Sequence, residues 1–272
     1  MRDFTIKLYK QLLISLLKNN YQILTFEEFC KGKRAEKFVI LRHDVDEMAD
    51  NALKTAQIEH SLGISATYNF RIVKQSNKPH IIKQIADFGH EIGYHYEDLA
   101  SANGNFEKAI ETFRKNLEYF RKFYPVKTCC MHGSSTSKFD NRDLWTYYCL
   151  DNEKLIGEPY LSIDFNKIYY ISDTGYCWDG FKTAVRDVVT SPFTNTYHHT
   201  SEIIKDIESN KFPPQAMLLA HTLWTDNLLK WTGIFLREKL RNQIKNISKN
   251  NKFIAKLYSA FVRFYWGKTS NK

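Results

Sequence analysis

The chain has 272 residues, 43% of them hydrophobic and 15% aromatic, enough to bury one large domain with an appendage. Residues 228–272 hold eleven of the 39 Lys and Arg but one of the 30 acids, Glu238, so the net charge of +9 belongs to that end and the rest is close to neutral, 28 basic against 29 acidic. A near-neutral body argues against nucleic-acid binding, and the absence of any run of 18 apolar residues argues against a membrane-spanning helix.

In chain order, Lys7, Lys10 and Lys18 interrupt the first apolar stretch. It therefore predicts an amphipathic helix over 6–19 rather than an export signal, and a cytoplasmic protein. Further helical patterns fall at 50–62, 79–88, 105–122, 200–210 and 227–245, and strand patterns at 38–43, 65–71, 91–95, 126–132, 160–164, 168–172 and 216–220. Helix and strand alternate, which predicts an α/β fold with a mostly parallel sheet. The five cysteines are odd in number and form no Cys-x-x-Cys pair, so reduced thiols are expected rather than disulfides or a cysteine-held metal.

Four of the strands end in acids or imidazoles. Residues 38–41 are apolar and run into Arg42-His43-Asp44-Val45-Asp46. Alternation along a strand puts Asp44 and Asp46 on one face and His43 and Val45 on the other. Two carboxylates this close both ionise only beside a cation or strong donors. Residues 89–98, Gly-His-Glu-Ile-Gly-Tyr-His-Tyr-Glu-Asp, place His95 and Glu97 at a second strand end. The strand at 126–132 ends in His132, and that at 216–220 runs into His221. Parallel α/β sheets carry their chemistry at the C-terminal ends of the strands.

At these residues the chain resembles the polysaccharide deacetylase family, which has the NodB homology domain. That family has an aspartate pair, usually Thr-Phe-Asp-Asp-Gly, then a Gly-His-Glu-Ile-Gly-Asn-His segment, an Arg-x-Pro-x-Gly turn and a late Leu-x-x-His strand end. The corresponding stretches are 42–46, 89–95, 130–134 and 218–221, in that order, within a resemblance spanning roughly 37–226. The resemblance implies an irregular (β/α) barrel of about seven parallel strands. It also implies Asp44 as catalytic base, Asp46 and His95 as metal ligands, and His221 as general acid. Two departures stand out. Leu99 occupies the family's second metal-histidine position, and Met131-His132-Gly133 replaces the Arg-x-Pro-x-Gly turn. The sequence looks like a divergent branch with an Arg-His-Asp-Val-Asp signature.

A divalent cation, zinc by expectation, needs about three protein ligands and an open position. His132 is the preferred third ligand and Glu97 the competitor. Arg42, Glu97, Asp173, Trp178 and Trp224 are candidate substrate contacts, the two indoles as faces for a sugar ring and Asp173 alternatively as the residue that orients His221. No Gly-x-Ser-x-Gly elbow is present, which argues against a serine hydrolase. The expected organisation is a helical lead-in over 1–36, a catalytic barrel over 37–245 and a basic amphipathic tail over 246–272. The tail is a candidate for peripheral contact with an anionic membrane. The expected activity is removal of an N-acetyl group from a sugar in a nucleotide- or lipid-linked precursor of a cell-surface glycan. A metal-free carbohydrate-binding or scaffold protein of the same fold, and a hydrolase of a non-sugar C–N bond, are the rival expectations.

Overall fold

Every residue of Phe38–Val45 (β2) is buried, as a parallel strand covered on both faces requires. The computed structural model describes residues 2–250 apart from 134–136, 182, 183 and 185. The other strands are Gln22–Leu24 (β1), Thr67–Phe70 (β3), Glu91–Tyr96 (β4), Cys129–Met131 (β5), Tyr169–Ser172 (β6) and Gln215–His221 (β7). The α-helices are Ile6–Lys18 (α1), Phe26–Cys30 (α2), Ala49–Ser61 (α3), Pro79–Asp87 (α4), Asp98–Ser101 (α5), Phe106–Arg121 (α6), Pro159–Ser162 (α7), Thr200–Glu208 (α8) and Leu228–Asn250 (α9).

All strand pairs are parallel, in the order β5-β4-β3-β2-β7-β6. One edge of β2 pairs with β7 from Phe38↔Gln215 to Asp44↔His221. Its other edge pairs with β1 over 38–40 and with β3 over 42–45. In a flat sheet β2 and β5 would lie about 14 Å apart. His132, just after β5, nevertheless comes within 3.5 Å of Asp46, just after β2. The sheet is therefore curled into a half-barrel, and its concave face carries Arg42 and Asp44. This is the seven-stranded parallel architecture expected from the sequence.

The alternation of β2 divides the core in two. Phe38, Ile40 and Met217 pack inside the curl with Leu24, Phe26 and Phe29 from β1 and α2. Val39, Leu41 and Val45 pack outside with α1 and α3 residues such as Leu12, Leu16, Ala52 and Ala56. Much of the lower concavity is thus apolar and closed, with one buried polar cluster, Glu91 accepting from the Thr67 and Thr128 hydroxyls and the Glu27 N–H, and the chemistry-bearing side chains gather at its upper end.

Local signals set the helix starts. Thr5 and Asn105 cap α1 and α6 by accepting from the Leu8 and Lys108 N–H groups, and Thr25 and Glu28 form a reciprocal capping box on α2. Residues 160–164, predicted as a strand, instead begin with α7. Pro159 opens that helix and the Glu158 carboxylate accepts from the N–H groups of Tyr160 and Leu161, which favours a turn over an extended run. β1 lies in the stretch expected as a helical lead-in. α9 continues through the boundary expected at 245–246, and the tail from residue 251 on lies outside the described residues. No helix among the described residues is long and apolar enough to cross a membrane.

Candidate metal centre

Asp46 sits one residue beyond the end of β2, where Met48 adopts a left-handed conformation at the start of α3 (φ 57°). The turn is tied down from β7's exit, because the Thr222 hydroxyl donates to the Glu47 carbonyl at 2.6 Å. Asp46 Oδ1 is buried and has no hydrogen-bond partner. It lies 3.4 Å from His95 Nε2 and 3.5 Å from His132 Nε2. On the other carboxylate oxygen, His221 Nε2 lies 4.0 Å away.

Both ligand-type histidines are fixed from behind. His95 Nδ1 is 3.0 Å from the Cys130 carbonyl oxygen, which can only accept, so Nδ1 carries the proton. His132 Nδ1 is 3.0 Å from Glu97 Oε2. Glu97 is held in turn by Arg71, Nη2 to Oε1 at 2.5 Å. In its neutral form each ring therefore turns its Nε2 lone pair towards Asp46. Anchoring of this kind is what metal-ligating histidines characteristically have.

This arrangement fits a divalent cation. Oxygen and two imidazole nitrogens lie mutually within 4.8 Å, and the buried carboxylate oxygen lacks any donor. The Asp46 side chain keeps 31% of its exposure, which leaves an approach from the mouth. Two imidazoles and a carboxylate suit zinc, with a fourth position open. Asp44, His95 and Cys130 form a second convergent group. It fits less well, since burial raises the Cys130 thiol well above its ordinary range and Asp44 is already engaged.

Asp44 is engaged by Arg42. Nε reaches Oδ1 at 3.0 Å and Nη2 reaches Oδ2 at 2.6 Å, while Asn69 Nδ2 adds a third bond to Oδ1 at 3.0 Å. Burial alone would raise the Asp44 carboxyl, but Arg42 and then His95 outweigh it and hold it well below the usual carboxylate range. Gly93 makes the Asn69 contact possible: a Cβ there would fall 2.1 Å from Asn69 Oδ1. Burial also opposes charge on Asp46, and His132 and His95, when protonated, overcome it.

His221 is oriented by Asp173. Oδ1 accepts from Nδ1 at 2.7 Å, both carboxylate oxygens accept from the His221 backbone N–H, and Trp224 Nε1 donates to Oδ2 at 2.8 Å. Burial disfavours the imidazolium, but the Asp173 charge outweighs it and the His221 pKa is pushed up to about 10.

The structure brings Asp44, Asp46, His95, His132 and His221 to one end of the curl. The expected substrate contacts lie elsewhere. Arg42 is fully buried and spends its guanidinium on Asp44 and the Tyr160 hydroxyl. Asp173 is buried beneath His221. Trp178 and Trp224 are core residues packed on Phe4, so neither ring has a face free for a sugar. Glu97 anchors His132. Leu99, at the family's second-histidine position, is buried in the outer core. His43 lies on the convex face, bonded to Glu59 at 2.8 Å and to the Ala220 carbonyl at 2.9 Å. Asn69 and Arg71 are site residues that the strand and motif patterns did not single out. For Asn69 a signal exists, since the register Asp44↔Asn69 places a polar residue beside the acid on the adjoining strand.

No family model matches the chain, and no curated protein matches it. Among solved structures it is similar to a mutant of a CE4 family pseudoenzyme from Bacillus anthracis with restored enzymatic activity, at 15% identity and TM-score 0.44. That match covers 77% of this chain and 65% of the other, so the chain spans just under two thirds of that protein's length. It is also similar to a peptidoglycan N-acetylglucosamine deacetylase, at 16% identity and TM-score 0.43 over 80% and 92% of the two chains. A family 4 carbohydrate esterase of Bacillus subtilis matches at 15% identity and TM-score 0.41 over 85% and 84%.

Proposed function

We propose that this chain is a metal-dependent hydrolase that removes an N-acetyl group from a sugar in a precursor of a cell-surface glycan. The observation that carries the reading is Asp46 Oδ1, buried and without a donor, facing two imidazole nitrogens whose tautomers leave lone pairs pointing at it. A carboxylate oxygen facing two imidazole nitrogens is a donor set that suits a cation, which favours this reading over a metal-free binding module. A divalent cation held by Asp46, His95 and His132 would supply a Lewis acid for an acyl carbonyl and a water of lowered pKa.

The chain's own residues supply the proton transfers. Asp44 is ionised throughout the working pH range and stands beside His95, with Oδ2 3.6 Å from Nε2, so it is placed to take a proton from the attacking water. Its pairing with Arg42 makes it a weak base, and the reaction leans on prior acidification of that water. The Asp173 carboxylate favours the protonated form of His221, which presents Nε2 to the same centre with Nδ1 committed to Asp173. It is the group placed to protonate the leaving amine or to stabilise developing negative charge on the acyl oxygen. The sugar and its glycan-precursor context come from the sequence resemblance.

The test is acetate release by the zinc- or cobalt-loaded chain from N-acetylhexosamine oligomers and from nucleotide- and lipid-linked N-acetyl sugars. Release from at least one class, abolished by Asp46→Ala and His95→Ala, is expected. No release from any class by metal-loaded protein would overturn the reading.

A further inference from the structure

Away from the barrel, α9 carries Leu229, Leu236, Leu240 and Ile247, which are 84, 59, 58 and 52% exposed. At 100° per residue their spacings of seven, four and seven keep them within about 20° of a single line, about 27 Å long. The opposite side of the helix is seated on the protein. Ile234 and Glu238 are buried, Trp231 Nε1 donates to the Asp3 carbonyl at 2.7 Å, and Asn242 Nδ2 donates to the Gly175 carbonyl at 2.8 Å. The outer stripe is thus an aligned row of large aliphatic side chains with water against it.

Charge decides what covers it. The sole acid of residues 228–272, Glu238, faces inward and is paired with Arg237 and Arg241. The outward side therefore has no carboxylate, while the exposed Lys230 and Lys239 flank the stripe. A second copy of α9 would bring a helix of net +5 against another, and residues 251–272 folding back would bring five more basic side chains and no acid. An anionic lipid surface gains from both features, the apolar row and the excess of cations.

We propose that α9 lies in the plane of an anionic leaflet, with Leu229, Leu236, Leu240 and Ile247 in the acyl boundary. Arg237 of α9 is paired with Glu47, the residue after Asp46, so the docked helix holds the candidate metal centre's mouth at the headgroup layer. Resting on the deacetylase reading, this makes a lipid-linked N-acetyl sugar the substrate class.

The experiment is flotation of the full chain with phosphatidylglycerol–phosphatidylcholine vesicles and with pure phosphatidylcholine vesicles, for wild type and for Leu236→Glu/Leu240→Glu. Both positions are exposed, so the variant's melting temperature should match wild type. Wild type should bind the anionic vesicles, less so as salt rises above about 0.1 M, and should not bind the neutral ones. The variant should lose binding by about tenfold or more. Failure of wild type to bind, or equal binding by the variant, overturns the proposal, the second outcome placing the contact in 251–272. A wild-type dimer that the variant dissolves, without vesicle binding, also overturns it, in favour of a second copy. Acetate release from a soluble oligosaccharide should be equal in both proteins. Its absence in both would sink the deacetylase reading and leave the membrane result standing.

Discussion

Arg42 and Asp44, two residues apart on one face of β2, form a buried two-pronged ion pair at 3.0 and 2.6 Å. An arginine on the same strand thus restrains the acid, and it does so from below the site, where no substrate reaches.

Removing the arginine leaves a buried carboxylate beside His95 with only Asn69 as donor. Arg42→Met should therefore destabilise the fold by about 3–5 kcal/mol, the cost of an uncompensated buried charge. Urea unfolding at pH 7 measures it. A loss below about 1 kcal/mol would mean that the pair contributes little. The sign with pH is fixed: Arg42 depresses the Asp44 carboxyl, so the pair's contribution is present above the unfolded pKa and is lost as pH falls.

Gly93 should not tolerate a methyl group. Gly93→Ala would place Cβ 2.1 Å from Asn69 Oδ1 and 3.2 Å from its Cγ, driving Asn69 off Asp44. A destabilisation of about 1–3 kcal/mol is expected. Combining it with Asn69→Ala should recover part of that loss, because the clash is removed. Strict additivity of the two changes in a double-mutant cycle would contradict the contact.

Asp173 should set the charge of His221. In Asp173→Asn the largest opposing charge is gone and burial acts with less resistance, so the His221 pKa should fall from about 10 towards or below the ordinary imidazole range. An NMR titration of the His221 ring reads this directly. In the wild type the raised pKa stabilises the fold fully below the unfolded pKa, and the contribution disappears as pH rises through about 10. An unchanged titration in the variant would remove Asp173 from its orienting role.

Asp98 gives a stability signature separate from the site. It is buried, and burial together with the Glu97 charge raises its carboxyl to about 7 against the pull of its bonds from Tyr94 and Asn116. A raised acid contributes most at low pH and becomes costly as pH climbs through its folded pKa. Asn can still accept from Asn116 through its oxygen and turn its amide nitrogen to the Tyr94 hydroxyl oxygen, without the charge. Asp98→Asn should therefore gain on wild type between pH 5 and pH 8 by on the order of 2 kcal/mol. Chemical denaturation at the two pH values compares them, and a pH-independent difference would contradict the assignment.

The strand ends were legible because an apolar run that stops at Asp, His or Glu marks where a buried strand reaches a polar mouth. β2 and β7 show this best, with every residue of β2 buried up to the acids. β1 was not legible, since three residues carry no periodicity and only their register with β2 makes them a strand. α7 departs from the strand expected over 160–164 because the Glu158 cap and Pro159 open a turn where apolar composition alone suggests extension. The indoles depart from expectation for the opposite reason. Their burial depends on Phe4, more than 170 residues away in sequence, and no local pattern reports that contact. Arg42 looked like a substrate residue because strand alternation gives its face and not its depth.

The most direct test of the account is metal analysis of the chain purified without chelators and titrated with zinc. One equivalent should bind, Asp46→Ala and His95→Ala should abolish binding, and His132→Ala should weaken it, by about 10-fold or more for a lost ligand. Wild-type protein that takes up no divalent metal, or Asp46→Ala protein that binds zinc as tightly as wild type, would contradict it.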